Sequence, residues 1–583
     1  MKAYWEKLLG LGLGVALLIS VHAGATTFYV NVSNAASVSP YTNWSKAATT
    51  IQDAIDVASD GDLIWVTNGV YASGGRVVYG SLTNRVVINK AVTVRSVNGP
   101  SVTAIRGYQV SSGSTAYTND VRCVYMTNNA VLDGFTITNG STLAASTNST
   151  NVLCGGGVYC ESTNAILTNC ILTGNICQSQ KGGESTGGGA VCQGTLYSCI
   201  LSNNLVPTNS SSYGVAGGGA FYSVLNNCLV VSNSSWWGGG AAFCILNHCT
   251  VLGNQAPGNG SSAWGGGILF CTANNCLIAG NVAATNAGSG GGACWSALNY
   301  CILSNNVALS GGGIYLSTGS PKATPQQLNN CLVISNYCQN YGGGVYVDYG
   351  SSIPLVNCTI VGNTAIKQGG GVYYGALKNC IIYSNYSPSS SDVVYYFTIL
   401  SNCRTNDPVF VNPAAGDFHL SSNSPCINAG NNAYISVTND FDGNPRIVGG
   451  TVDIGAYEYQ TPASVLSYTW AQQYGLPIDG TADYVDSDSD GMNNWQEWKA
   501  GTNPTNADSV LKLASLTNSI VGTKVTWQSV SGVTYYLQRG TNLAAQPPFT
   551  SLVSNLTGQA VSTSYTDSTA TNATPYFYRI GVQ

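Results

Sequence analysis

The stretch "SWWGGGAAFCILNHCTVLGN" covers Ser235–Asn254, and a shortened version of it returns down the chain every 21 to 32 residues. Gly triplets stand at 155–157, 187–189, 217–219, 238–240, 265–267, 290–292, 311–313, 342–344 and 369–371, each followed by an aliphatic residue or Ala. A second block trails them, as in NCILTGN at 169–175, NCLVVSN at 227–233, HCTVLGN at 248–254 and NCIIYSN at 379–385. A period in this range signals a solenoid, whose units bury their apolar sides only against their neighbours.

The apolar runs are short, β-branched and punctuated by Gly and Asn, so the units read as strands. Leu225 precedes Cys228 by three residues and Val230 follows it by two, and the same offsets recur around Cys249 and Cys380. A period of two puts the cysteine and the later aliphatic on one face, and a left-handed bend at the residue before Cys brings the earlier Leu inward. Coils stacked about 4.8 Å apart make a right-handed parallel β-helix, an all-β solenoid. The Gly triplets are expected at a corner requiring positive φ, and Asn175, Asn233 and Asn363 are expected to stack as a ladder at another. The motifs Gly218-Gly219-Ala220 and Gly266-Gly267-Ile268 resemble the repeats of polymorphic outer-membrane proteins over roughly residues 120–405. The aromatic-x-x-Asn motif of that family departs here to Leu172-Thr173-Gly174-Asn175.

Only 8% of the 583 residues are charged, against roughly 25% in average proteins, and the formal net charge is -5. Lys and Arg are too thinly spread for a basic stripe, which excludes nucleic acid and anionic lipid as partners. Lys2 and Lys7 precede the apolar run 8–21 and then Ala23-Gly24-Ala25, the pattern of a cleaved signal peptide over residues 1–25. No later apolar stretch is long enough to span a bilayer. The expected location is extracellular or on the outer cell surface, as a monomer.

Export permits disulfides among the 20 cysteines. Cys170, Cys199, Cys228, Cys249, Cys276, Cys301, Cys331, Cys358, Cys380 and Cys403 are expected to form one internal column. Neighbouring coils bring their Cα atoms within disulfide range, so pairing is permitted, but in-register strands constrain the S–S dihedral poorly and buried thiols are favoured. Cys160, Cys192, Cys244, Cys271 and Cys294 follow the glycines at irregular offsets, where a few bridges are plausible. His248, beside Cys249, is expected to point away from it.

Residues 26–120 read as an entrance cap and first coils, with Ile51, Ala54, Ile55 and Ala58 on one helical face and a strand over 63–66. This start resembles pectin-lyase-like β-helices. The segment 406–462, with "DPVFVNPAAGDFHL" from Asp407 and "DFDGNPRIVGGTVDIGAYEY" from Asp440, resembles the closing choice-of-anchor segment of bacterial surface β-helices. Asp442, Arg446, Asp453 and Glu458 are assigned there to a structural ion-pair role. In module 463–509, "DSDSDGMNNWQE" fits a twelve-residue calcium loop. Its ligands are Asp486, Asp488, Asp490, the Met492 carbonyl, Asn494 and Glu497, with Gly491 at the sharp turn. The surroundings resemble type 3 thrombospondin or dockerin-like modules, in which Ca2+ stiffens structure. The tail, 510–583, alternates as strands and resembles a fibronectin type III sandwich. It is too short for an autotransporter barrel.

Pectin-lyase-like folds host lyases and hydrolases, so the enzyme reading is tested on residues. Arg is absent between Asp133 and Arg404, leaving a polyanion almost unmatched. Glu161 and Glu184 lie about one coil apart in sequence and are the only suggestion of a carboxylate pair, each in a polar loop. The binding reading rests on Tyr159, Phe221, Tyr315, Tyr346 and Tyr373, each two residues past a Gly triplet and directed outward on one sheet. Such a file would stack on sugar faces or serve as a ladder that supports the sheet. Trp236, Trp237 and Trp264 are further exposed candidates. The favoured reading is a polysaccharide-binding or adhesive surface protein, and the alternative is a lyase or glycoside hydrolase.

Overall fold

Each turn of the repeat contributes one strand to each of three long sheets, parallel throughout except for the antiparallel pair Arg76–Val77 and Thr83–Ile88 at the start of the third. The computed structural model describes residues 24–583 except 111–118, 144–149, 179–185, 208–214, 259–261, 320–324, 352, 390–391, 394–397 and 571–574. Residues 1–23, within the expected signal segment, and Glu184 therefore lie outside the described residues. The first sheet has 14 strands, from Thr27–Val30 to Thr398–Ser401. The second and third have 12 each, from Gly69–Tyr71 to Ile381–Tyr383 and from Arg76–Val77 to Val372–Tyr373. Register is kept from turn to turn, as in Leu225↔Leu246↔Ala273↔Leu298. The chain is thus a right-handed parallel β-helix.

Left-handed bends keep the strands short. Asn227, His248, Asn275 and Tyr300 all have φ near +53°, +53°, +53° and +52°, at the turn between first and second sheets. Asn adopts this conformation at little cost, whereas Tyr300 must be held there by its neighbours. The bend turns Leu225, Cys228 and Val230 into a common core, all buried. His248 is exposed while Cys249 is buried, as the alternation requires.

The Asn ladder is continuous from Asn175 to Asn385. Asn254 shows the unit: Nδ2 donates to Asn281 Oδ1 at 3.0 Å and to the Val230 carbonyl at 2.9 Å, while the backbone N–H donates to the same Asn281 Oδ1 at 2.9 Å. Asp392 ends the file by accepting from both nitrogens of Asn385, at 3.1 and 2.9 Å. Buried amides are tolerated because each finds a partner in the next coil.

The glycine corner differs from expectation, since positive φ is needed at only one residue of a triplet. Gly238 has φ +60°, but its successors are excluded by space instead. A Cβ on Gly239 would lie 2.3 Å from the Gln255 carbonyl oxygen, and one on Gly240 would lie 2.7 Å from that of Gly267. The third glycine is also what lets the Asn ladder approach, at 3.0 Å from the Asn254 side chain.

All 20 cysteines are free thiols, and every one but Cys403 is buried. In the main column the backbone N–H of Cys249 reaches Cys276 Sγ at 3.3 Å, and that of Cys301 reaches Cys331 Sγ at 3.4 Å. The cysteines after the glycines are ordered rather than irregular. Ser223, Cys244, Cys271 and Ser296 form a second internal column through backbone N–H contacts of 3.1–3.4 Å. Cys192 and Cys294 instead face out, paired with Phe221 and Tyr315.

The chain divides into two units, Met1–Asp407 and Pro408–Gln583. In the first, helix Ile51–Val57 buries Ile51, Ala54 and Ile55 under an N-cap from Thr50. In the second, Arg446 is fully buried and donates to the carbonyls of Ala456 and Asp453 at 3.0 and 3.2 Å. Asp453 accepts the backbone N–H groups of Asn428 and Tyr459, each at 2.6 Å, and Glu458 accepts those of Val448 and Asp453 at 2.9 Å. These groups thus hold irregular backbone. Burial pushes the Asp453 carboxyl up to about 7 and that of Glu458 up to about 9. The tail forms two three-stranded antiparallel sheets around Val525, Trp527, Tyr535 and Leu537.

Candidate functional site

The outward file of the third sheet runs in register Tyr125, Tyr159, Cys192, Phe221, Ala242, Leu269, Cys294, Tyr315, Tyr346, Tyr373. The predicted residues do share one file, but they are not equally accessible. Tyr159 and Phe221 are 4% and 1% exposed, so they pack rather than bind. Tyr159 is held under the guanidinium of Arg122, 5.1 Å from its ring. Burial lowers that guanidinium to about 10, and its Nε and one terminal nitrogen donate to the Gly155 and Cys154 carbonyls. Trp236, expected at the surface, is 6% exposed and donates from Nε1 to the Ser262 carbonyl at 2.9 Å. Trp237 and Trp264 are half-buried beside it. Residues that lead into the glycine corners, among them Ala216, Trp237 and Trp264, pack in the same cluster as this part of the file, which local alternation does not reveal.

On the last three coils the file opens. Tyr315, Tyr346 and Tyr373 are half-buried and stack with centroids 4.8 and 5.1 Å apart and planes 6° and 13° from parallel. Their ring faces are turned to one another, so they present edges and hydroxyls outward. Tyr315 Oη donates to Asp348 Oδ1 at 2.8 Å, and Tyr373 Oη donates to Tyr374 Oη at 3.3 Å. Burial, then Asp348, raises the Tyr315 hydroxyl, and burial pushes that of Tyr346 up to about 12. Tyr341 packs on Tyr373 at 4.7 Å beneath the ammonium of Lys367, and Tyr349, 69% exposed, stands edge-on to Tyr374 at 6.0 Å. Three tyrosines beyond the predicted file, Tyr341, Tyr349 and Tyr374, thus extend it ring to ring, and Asp348 accepts from Tyr315 within the file.

A parallel file escaped the sequence reading. Tyr222, Phe243, Phe270 and Trp295 stand three residues past a triplet, take positive φ, and stack at 5.0, 4.9 and 5.0 Å. The recurring aromatic at that offset was the available signal. Stacking compensates the steric cost of a bulky residue in the left-handed region.

Glu161 accepts a hydrogen bond from Tyr125 Oη and occupies the coil position that Asp348 occupies seven turns later. At the strand spacing these carboxylates are about 34 Å apart. That is far beyond the roughly 5–10 Å of paired glycosidase carboxylates.

No protein-family model matches the chain. No curated protein matches it in sequence either. Among solved structures it is similar to pectate lyase Pel9A, at 16% identity over 75% of this chain and 97% of that one, with a TM-score of 0.33. A mannuronan C-5 epimerase A-module from Azotobacter vinelandii gives 13% identity over 59% and 88%, with a TM-score of 0.27. A polygalacturonase from Erwinia carotovora gives 11% over 66% and 96%, with a TM-score of 0.23. These likenesses concern the coil and transfer no chemistry.

The second site lies in the Pro408–Gln583 unit. Carboxylate oxygens of Asp486, Asp488 and Asp490 lie within 4.8 Å of one another, a cluster able to hold a metal ion. Gly491, at φ +96°, makes the turn, and helix Asn494–Ala500 brings in Glu497. Asn494 and Glu497 are 0% exposed, yet Asn494 Oδ1 and Glu497 Oε2 have no partner, nor do both oxygens of Asp488 and one of Asp490. Met492 lies between them, with its N–H on Asp490 Oδ1 at 2.7 Å and its sulfur accepting from Leu511 N–H at 3.3 Å. Burial, then the three aspartates, pushes the Glu497 carboxyl up to about 7. Oxygen atoms orphaned together in this way fit a hard divalent cation.

Proposed function

We propose that the chain is a secreted or cell-surface β-helix protein that binds polysaccharide through the tyrosine face of its last coils. The observation that carries this is the run of ring contacts joining Tyr315, Tyr346, Tyr373, Tyr374 and Tyr349, with Asp348 accepting from Tyr315, on an otherwise sparsely charged solenoid. Phenol edges and one carboxylate supply donors and acceptors for sugar hydroxyls, and exposed Tyr349 supplies an apolar face. Adhesion follows if the glycan is carried by another surface.

The metal is calcium in this reading. Asp486, Asp488, Asp490, Asn494, Glu497 and the Met492 carbonyl would hold it, and its charge would neutralise the buried acids and brace the module. A glycan array probed with the full chain tests the binding, alongside assays for reducing ends and unsaturated products. Retention of one glycan without turnover, lost in Asp348→Ala and Tyr349→Ala, is expected. Turnover, or binding indifferent to both substitutions, refutes the reading.

A further inference from the structure

A different face of the solenoid carries a second outward file of aromatic and polar side chains. On the first sheet Tyr29, Trp65, Arg95, Asp133, Thr168 and Tyr197 occupy consecutive register positions. Their strand neighbours Phe28, Ile64, Val94, Leu132, Leu167 and Leu196 fill the core, so these six stand outward in one axial file. At the strand spacing the file is about 24 Å long. Trp44, 42% exposed, meets Tyr29 edge-on at 4.5 Å.

The polar members are already fixed. Arg95 Nε donates to Asp133 Oδ2 at 2.6 Å, its guanidinium lies 5.6 Å from the centroid of Trp65, and Asn169 Nδ2 donates to Asp133 Oδ1 at 3.0 Å. Among the described residues this leaves both terminal nitrogens of Arg95 without a partner. Farther along, Asn226, Asn247, Asn274 and Asn299 occupy the same file but bond one another at 2.9–3.0 Å. Their donors are largely spent within the ladder. The aromatic rings of the first coils are not consumed by parallel stacking as the tyrosine file is.

We infer that this file is a second binding site, for a linear neutral polysaccharide laid along the helix axis. Aromatic rings suit the apolar faces of pyranoses, and a preorganised Arg–Asp–Asn set suits their hydroxyls. Neutrality follows from charge: Arg95 and Asp133 cancel, and no other charged residue occupies either outward file of this sheet before Lys378. A polyanion would find no net counter-charge there. The straight, uninterrupted file selects an extended chain.

Affinity electrophoresis of the full chain in gels containing konjac glucomannan, hydroxyethylcellulose or polygalacturonate tests this. Retardation by a neutral polymer is expected, weakened about tenfold by Trp65→Ala and less by Trp44→Ala, whose exposed ring can be removed without opening the core. Arg95→Leu should also weaken it, whereas Asp348→Ala and Tyr349→Ala should leave it intact, which separates this site from the tyrosine face. The inference is overturned if polygalacturonate alone retards the chain, if no neutral polymer does, or if Trp44→Ala and Arg95→Leu both bind as the parent does.

Discussion

The Asn column of the solenoid and the acidic loop of the second unit both bury polar side chains, with opposite outcomes. Along the column every amide meets the next coil, so Asn254 has its Nδ2 and its backbone N–H on the same Asn281 oxygen. In the loop Glu497 and Asn494 are just as buried, yet each keeps an oxygen with no partner. A satisfied buried group is architecture, whereas a set of unsatisfied acceptor oxygens around clustered acids is able to hold a metal ion.

The largest expected effect strikes the satisfied side. Asn254→Leu strands the paired nitrogens of Asn233 and the Val230 carbonyl, and chemical denaturation of the coil should show a loss of about 4 kcal/mol, at 1–3 kcal/mol per orphaned group. A loss within the range of a surface substitution would mean the column does not hold the coils.

On the unsatisfied side the effect depends on the ion. Thermal melting of the second unit should gain about 2.7 kcal/mol at a hundredfold excess of calcium over its Kd, and Asp488→Ala should abolish the gain. Calcium-independent melting of the parent chain would place the loop with ordinary acidic turns.

The cysteine column sharpens the contrast, being buried without polar demand. Cys249→Ala should cost about 1–2 kcal/mol as a small cavity, reductant should leave stability unchanged, and the 19 buried thiols should alkylate only under denaturant. Fewer titratable thiols would reveal bridges.

The smallest effect belongs to an exposed polar set. His419 lies between Asp442 at 2.6 Å and Asp417 at 2.5 Å, and Asp442, then Asp417, raises it to about 9 against the opposing effect of burial. Because the folded value exceeds the unfolded 6.5, this stabilisation is full below about pH 6.5 and is lost as pH rises through 9. Solvent screening keeps it within about 1 kcal/mol, and His419→Gln should flatten that part of a stability–pH profile. An unchanged profile would leave the pair without energetic weight.

Much of the coil was legible because its constraints are local and repeated. The residue before each Cys, the Leu three before it and the aliphatic two after it specify a bend and an inward face without reference to distant chain. The clustering of acids in the loop was legible for the same reason, its oxygen-bearing residues lying within twelve positions. The tyrosine file was legible only in direction. That Tyr159 and Phe221 are covered while Tyr346 is not depends on residues of other segments, such as Ala216 and Trp237, that pack into the same cluster, and the burial of Trp236 depends likewise on Ala256 and Ala263. The first-sheet file was invisible because its members, from Tyr29 to Tyr197, come from six separate coils outside any one motif.

The sequence by itself determined the period, the inward faces, the bends and the spacing of the loop's acidic residues, since each follows from φ preferences and side-chain alternation within a few residues. Tertiary structure alone decided which outward aromatics meet solvent, that Glu161 and Asp348 stand far apart, and that Trp65, Arg95 and Asp133 touch. Those facts depend on how many coils separate two residues and on what folds over them, and stacking along an axis converts separation in sequence into distance only once the register is set.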